Sequence, residues 1–202
     1  MAFAGSADRY LPDTVQRAVK IPVVGAFGVG KTTLVGSVSE IEPLRTEEVM
    51  TQASVGVDEL AGASGKTTTT VAMDFGRITL SARTVLYLFG TPGQRRFWDL
   101  WEGLLEGALG VLVVIDTRRL EDSFDVLEQL ELRSMPFAVA VNQFPDSQSY
   151  DTRELREALD LLEETPIVMC DARDRTSSAE ALITLVEHVL DSEAVRTPET
   201  AS

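Results

Sequence analysis

Apolar runs alternate with segments of helical period along the whole chain. Residues 18–24 are apolar and β-rich, a glycine-rich turn follows, and residues 31–40 read as a helix. Two strand-like runs, 71–80 and 84–89, are separated by only a few polar residues, as in an antiparallel hairpin. The pattern then predicts a helix over 95–106, a strand over 111–115 and a helix over 120–133. A strand over 137–141, a helix over 152–162, a strand over 167–170 and a helix over 177–190 complete it. The run Val-Leu-Val-Val-Ile at 111–115 has no polar alternation, which suits a strand covered on both faces. This order predicts a three-layer, doubly wound α/β fold around a mostly parallel six-stranded sheet with one antiparallel strand. In the last helix Leu182, Leu185, Val186, Val189 and Leu190 fall on one stripe, with Thr184 and His188 opposite, so His188 is expected at the solvent side.

The same pattern divides the chain. Residues 1–17 read as a flexible extension, 18–190 as the folded domain and 191–202 as a flexible tail. Residues 41–65 form a long loose stretch of the kind that often carries function. At 202 residues and 44% hydrophobic content, there is material for one well-packed α/β domain and not for two. The formal net charge of −14 argues against autonomous binding to nucleic acid or anionic lipid, because the far field repels both. It leaves room for a small, locally positive site. One cysteine, Cys170, and one histidine, His188, build neither an intramolecular disulfide nor a Cys/His zinc cage. The longest apolar runs, such as 108–115, are too short to span a bilayer, and no secretory or lipidation signal is evident. The expectation is a cytoplasmic domain with no direct membrane insertion.

Gly25-Ala26-Phe27-Gly28-Val29-Gly30-Lys31-Thr32 matches G-x-x-x-x-G-K-[ST] and lies between a strand and a helix, as a phosphate loop requires. Glycines let the backbone fold round an anion so that N–H groups point inward, and the helix N-terminus adds its positive end. Lys31 is expected to neutralise the β/γ-phosphates and Thr32 to ligate Mg²⁺, with Thr33 at the start of the helix beside them. A second stretch ending in Gly65-Lys66-Thr67 has Leu60 where the first glycine belongs and leads into a strand; it is no second site.

Residues 67–76, the hairpin, and Thr91-Pro92-Gly93-Gln94 together resemble the Ras-like small GTPases, a P-loop fold of small G-protein type. The likeness is nearest to the MglA-like branch and the GTP-binding subunits of actinobacterial conservons. That resemblance implies GTP/GDP and Mg²⁺ as ligands and two switch segments, 66–76 and 90–101. Thr70, with Thr69 as runner-up, would ligate Mg²⁺ and meet the γ-phosphate; the plainer reading is a β-branched strand start. Gly93 would offer its N–H to the γ-phosphate; Gln94 would be catalytic by orienting the attacking water, and Lys31 by neutralising the phosphates. Gly90 stands where the family generally has an Asp that supports Mg²⁺. Asp116 is one substitute carboxylate; alternatively it caps the following turn. Arg95 and Arg96 suit a transition-state charge or, more plainly, solvated positions on the switch helix, and Trp98 borders an apolar stripe there, as a partner contact or as packing.

The family's N-K-x-D motif becomes Asn142-Gln143-Phe144-Pro145, with Asp146 one residue late. The resemblance implies that Asn142 ties the base loop to the phosphate loop and that Asp146 accepts from the guanine ring nitrogens. Asp171-Ala172-Arg173 stands for the second base loop, with the Ala172 N–H at the guanine carbonyl and Phe144 or Arg173 covering the ring. Two functions are then in view: a slow, partner-stimulated regulatory GTPase, or a nucleotide-bound interaction module with little or no hydrolysis. The resemblance further implies a roadblock-type protein and a sensor-kinase-like protein as partners, and membrane recruitment through them.

Overall fold

The computed structural model describes residues 14–42, 44–51, 68–92 and 103–196. Its strands are β1 (Arg17–Val24), β2 (Leu44–Thr51), β3 (Thr68–Ser81), β4 (Thr84–Gly90), β5 (Val111–Ile115), β6 (Phe137–Asn142) and β7 (Ile167–Cys170). They form one sheet in the order β2-β3-β4-β1-β5-β6-β7. Only β3 runs against the rest, antiparallel to both β2 and β4. The doubly wound fold with one antiparallel strand is as expected, but among the described residues the sheet has seven strands instead of six. The additional one, β2, lies in the stretch read as loose. Its sequence, LRTEEVMT, carries no apolar alternation; as an edge strand it is held by its ladder to β3, from Leu44↔Phe75 to Thr51↔Thr68.

Among the described residues, four helices are bounded at both ends and cover the faces: α1 (Lys31–Val38), α2 (Phe124–Leu132), α3 (Thr152–Ala158) and α4 (Arg175–Arg196). The sheet's pleat sorts its side chains between them. Val111, Val113 and Ile115, with Phe137, Val139 and Val141, pack with the apolar stripes of α2 and α3. Leu112 and Val114, with Ala138 and Ala140, face α1 and α4 instead. The apolar runs are thus buried on both sides, which is why they show no alternation. In α4 the stripe Ala181, Leu182, Leu185 and Val189 is buried, whereas Leu190 is exposed and His188 is half-buried.

Helix ends follow local chemistry. Asp151 and Glu154 form a reciprocal capping box that starts α3, and the helix stops short of residue 162 because Asp160 turns to φ +52°. Asp174 accepts from the Ser177 N–H at 2.7 Å, which starts α4 two residues earlier than the periodicity implied. The helix expected over 120–133 splits into a 3₁₀ stretch, Thr117–Ser123, and α2. Of the helix expected over 95–106, residues 103–105 are helical and 95–102 lie outside the described residues.

β1 has β4 on one side and β5 on the other, parallel to both. The chain therefore leaves β1 at the point where the winding reverses, and a crevice opens at the carboxyl ends of the strands.

Candidate functional site

Every loop in that crevice follows the end of a strand. From Val24 the chain turns through Gly25–Gly30 directly into α1. Gly25 and Gly30 take φ of +139° and +105°, and a side-chain carbon on either would strike the Val114 carbonyl or the Asn142 amide respectively. Only glycine fits both positions. Gly30 also caps α1 without offering a side chain, so the first amides of the helix are left for an external anion. Ala26 and Val29 anchor the loop by burial, while Phe27, Thr32 and Thr33 are exposed.

Lys31 folds back over the loop. Its Nζ donates to the carbonyls of Gly25 at 2.8 Å and Ala26 at 2.6 Å, and the side chain is buried. Burial lowers its pKa from 10.5 to about 8, opposed by the negative charge of Asp74. An ammonium desolvated in this way gains most when a phosphate anion arrives.

Asp74 is the residue that the sequence reading missed. In the β3–β4 ladder it stands directly opposite Gly90. A side-chain carbon placed on Gly90 would come within 3.1 Å of the Asp74 Cβ and 3.2 Å of its Oδ2, so the aspartate fills the space the missing side chain would take. The Thr32 hydroxyl donates to Asp74 Oδ2. A threonine hydroxyl and a carboxylate in contact at the head of α1 suit Mg²⁺, which takes one or two protein oxygens and completes its shell with phosphate oxygens and water.

Asp116 has the other role foreseen for it. Fully buried, it caps the 3₁₀ stretch through the Arg118 N–H and is gripped by the Arg118 guanidinium at 2.9 and 2.7 Å, which holds its carboxyl below the usual range. It is no substitute metal ligand. Thr70 lies within β3, paired with Val49 of β2, in line with the strand-start reading. Gly93 and Gln94 lie outside the described residues, as do residues 52–67.

On the base side, Asn142 joins three segments. Its Nδ2 donates to the Val29 carbonyl at 2.9 Å and its Oδ1 accepts from the Ala172 N–H at 3.0 Å. The tie to the phosphate loop is therefore present. The Ala172 N–H, expected at the base carbonyl, is instead committed to Asn142 and buried. The Gln143 N–H donates to the Cys170 carbonyl at 2.7 Å, and Phe144 and Ser147 close a turn on which Pro145 and Asp146 are exposed. Arg173 folds onto Asp171 at 2.9 and 2.8 Å, which pushes the Asp171 pKa down to about 2 and engages the group expected over the base. The Arg118 guanidinium lies 4.0 Å from the centre of the Phe144 ring, and the negative charge of Asp146 favours it.

These parts, a glycine-walled anion loop with a buried lysine at the switch point of a doubly wound sheet, define a P-loop, G-domain-like nucleotide-binding fold. The chain is similar to the G domain of the FeoB iron transporter of T. maritima, with a TM-score of 0.58 and 21% identity over 85% of this chain and 98% of that one. Residues 23–192 match the family described as "Conserved hypothetical ATP binding protein", and the chain belongs to that family. It is also 30% identical to the uncharacterized protein MJ1339 of Methanocaldococcus jannaschii over 139 residues, 68% of this chain and 77% of that protein. No helix among the described residues is long and apolar enough to cross a membrane.

Proposed function

We propose that this protein is a guanine-nucleotide switch that binds GTP or GDP with Mg²⁺ and hydrolyses GTP slowly. The observation that carries the reading is the completed phosphate loop, with Lys31 buried over it and the Thr32–Asp74 pair at its exit. Backbone amides of 26–32 and the Lys31 ammonium bind the phosphate chain; Asn142 holds loop and base segments in register. Thr32 and Asp74 would hold Mg²⁺, which would supply charge neutralisation to the phosphate chain. Thr70, Gly93 and Gln94 sense the γ-phosphate through segments 66–76 and 90–101, and Gln94 orients the attacking water. Asp146 gives the base side its acceptor, and Asp171 anchors the second base loop through Arg173.

The resemblance to MglA-like and conservon proteins supports partners of roadblock and sensor-kinase type, with a cytoplasmic protein drawn to the membrane through them. Intrinsic turnover is slow because charge stabilisation is incomplete without such a partner.

The second reading is an adenine-nucleotide protein. It is favoured by the family's description and by the departure at Gln143–Asp146. Displacement of a fluorescent GTP analogue by unlabelled GTP or ATP separates the two. Stronger displacement by ATP overturns the guanine assignment, and GTP binding without conversion to GDP reduces the switch to a bound interaction module.

A further inference from the structure

At the same end of the sheet, two successive arginines leave β5 and serve different loops. Arg118 is spent on Asp116 and on the Phe144 ring. Arg119 turns the other way: its Nη2 donates to the Phe27 carbonyl at 3.0 Å, and it lies 3.6 Å from where a side-chain carbon on Gly28 would sit. The backbone is bent to achieve this. Arg119 has φ −148° and ψ 56° inside an otherwise 3₁₀ stretch, although its N–H still bonds the Asp116 carbonyl at 2.9 Å.

We propose that Arg119 is a second cation of the phosphate site, laying its guanidinium against the polyphosphate of a bound nucleotide at Gly28. The inference rests on the phosphate-loop reading above and adds a residue to it. Arg119 forms two long ion pairs, 3.5 Å to Asp122 and 3.9 Å to Asp116, against the 2.7 Å grip of Arg118 on Asp116, and its side chain is 43% exposed. Its hydrogen bond to Phe27 uses one of five N–H donors. By contrast Arg173 is closed onto Asp171 and Lys31 is turned onto carbonyls. A chain of net charge −14 repels a polyanion at long range, so a nucleotide site here needs local positive charge. A planar guanidinium fork at the loop's backbone supplies it in the geometry phosphates favour.

The test is a titration with GDP of the full chain, the Arg119→Gln and Arg119→Lys variants, and Lys31→Ala, at about 0.05 M and about 0.5 M salt. Glutamine keeps an N–H donor for the Phe27 carbonyl but no charge. Arg119→Gln is expected to weaken GDP about 5- to 30-fold at low salt and less at high salt, while Arg119→Lys keeps most of the affinity. Wild-type affinity in Arg119→Gln at both salts overturns the proposal, as do equal losses in the Gln and Lys variants, which would point to loop support alone. Failure of the parent reading looks different: Lys31→Ala then binds GDP as the wild type does, or the wild type binds none.

Discussion

The phosphate end and the base end of the crevice are built to different rules. At the phosphate end of the proposed site recognition would run through backbone amides, which requires contiguous residues, and Gly25 to Thr32 keep their spacing without a gap. At the base end of the proposed site recognition would run through side chains projected from separate loops, and here the sequence departs from the motif it resembles at Gln143, Pro145 and Asp146. Backbone geometry admits no substitute for Gly25 or Gly30, because a side chain there meets a carbonyl or the Asn142 amide. Side-chain charge, in contrast, can be supplied from a neighbouring strand, as Asp74 beside Gly90 illustrates.

That contrast can be broken at its strong end first. Lys31→Met is expected to lower nucleotide affinity at least about 100-fold, measured by calorimetry, since a buried ammonium–phosphate contact is lost. The nucleotide-free variant should nevertheless melt no lower than the wild type. A lysine whose pKa falls to about 8 on folding costs stability while it is charged, and the variant removes that cost.

Asn142→Ala strikes the joint between the two ends. It leaves the Val29 carbonyl and Ala172 N–H without their side-chain partner, for a loss of about 2–4 kcal/mol in denaturant unfolding together with weaker nucleotide binding. An unchanged midpoint would show that the joint is dispensable. Asp74→Asn sharpens the claim of a relocated carboxylate: GDP affinity should lose most of its Mg²⁺ dependence, roughly a tenfold effect on adding chelator to the wild type and almost none in the variant. Pairing Asp74→Ala with Gly90→Asp should restore that dependence, since removing the carboxylate leaves only the residue 74 Cβ, at 3.1 Å, against the new side chain.

The smallest effect concerns pH. Lys31 carries a proton below about pH 8 in the empty protein and a phosphate raises that value, so binding takes up a proton above it. Affinity should be flat from pH 6.5 to near 8 and then fall by at most about tenfold per unit. In the same window, from about 8 towards 10.5, the folding stability of the empty protein should gain a contribution, because the unfolded state binds the extra proton. A slope that persists in Lys31→Met would assign it to another group.

Much of the fold could be read directly. Strands 111–115 and 167–170 lie where the apolar runs put them; the first is buried on both faces, and the second, at the sheet edge, is partly buried on both. The polar edge strand β2 could not, since its stability comes from a ladder to a distant segment and not from its own composition. The same holds within the site. The contiguous phosphate loop was legible from its spacing, and Asn142 from the motif it resembles; Asp74, Arg118 and Arg119 were not, as each acts on a residue remote in sequence with no motif to mark it.

What the amino-acid order settled alone is the chemistry that depends on neighbours along the chain: a glycine-walled loop with its lysine and threonine, set between a strand and a helix. What the tertiary structure decided is which carboxylate serves that loop. Counted regularly from Ser81↔Thr84, the hairpin would set Phe75 against Gly90; the irregularity between Thr79 and Ser81 slips the register so that Asp74 stands there. One residue of slip exchanges the two faces of a strand, and a bulge is fixed by how the sheet packs and twists, not by the local sequence.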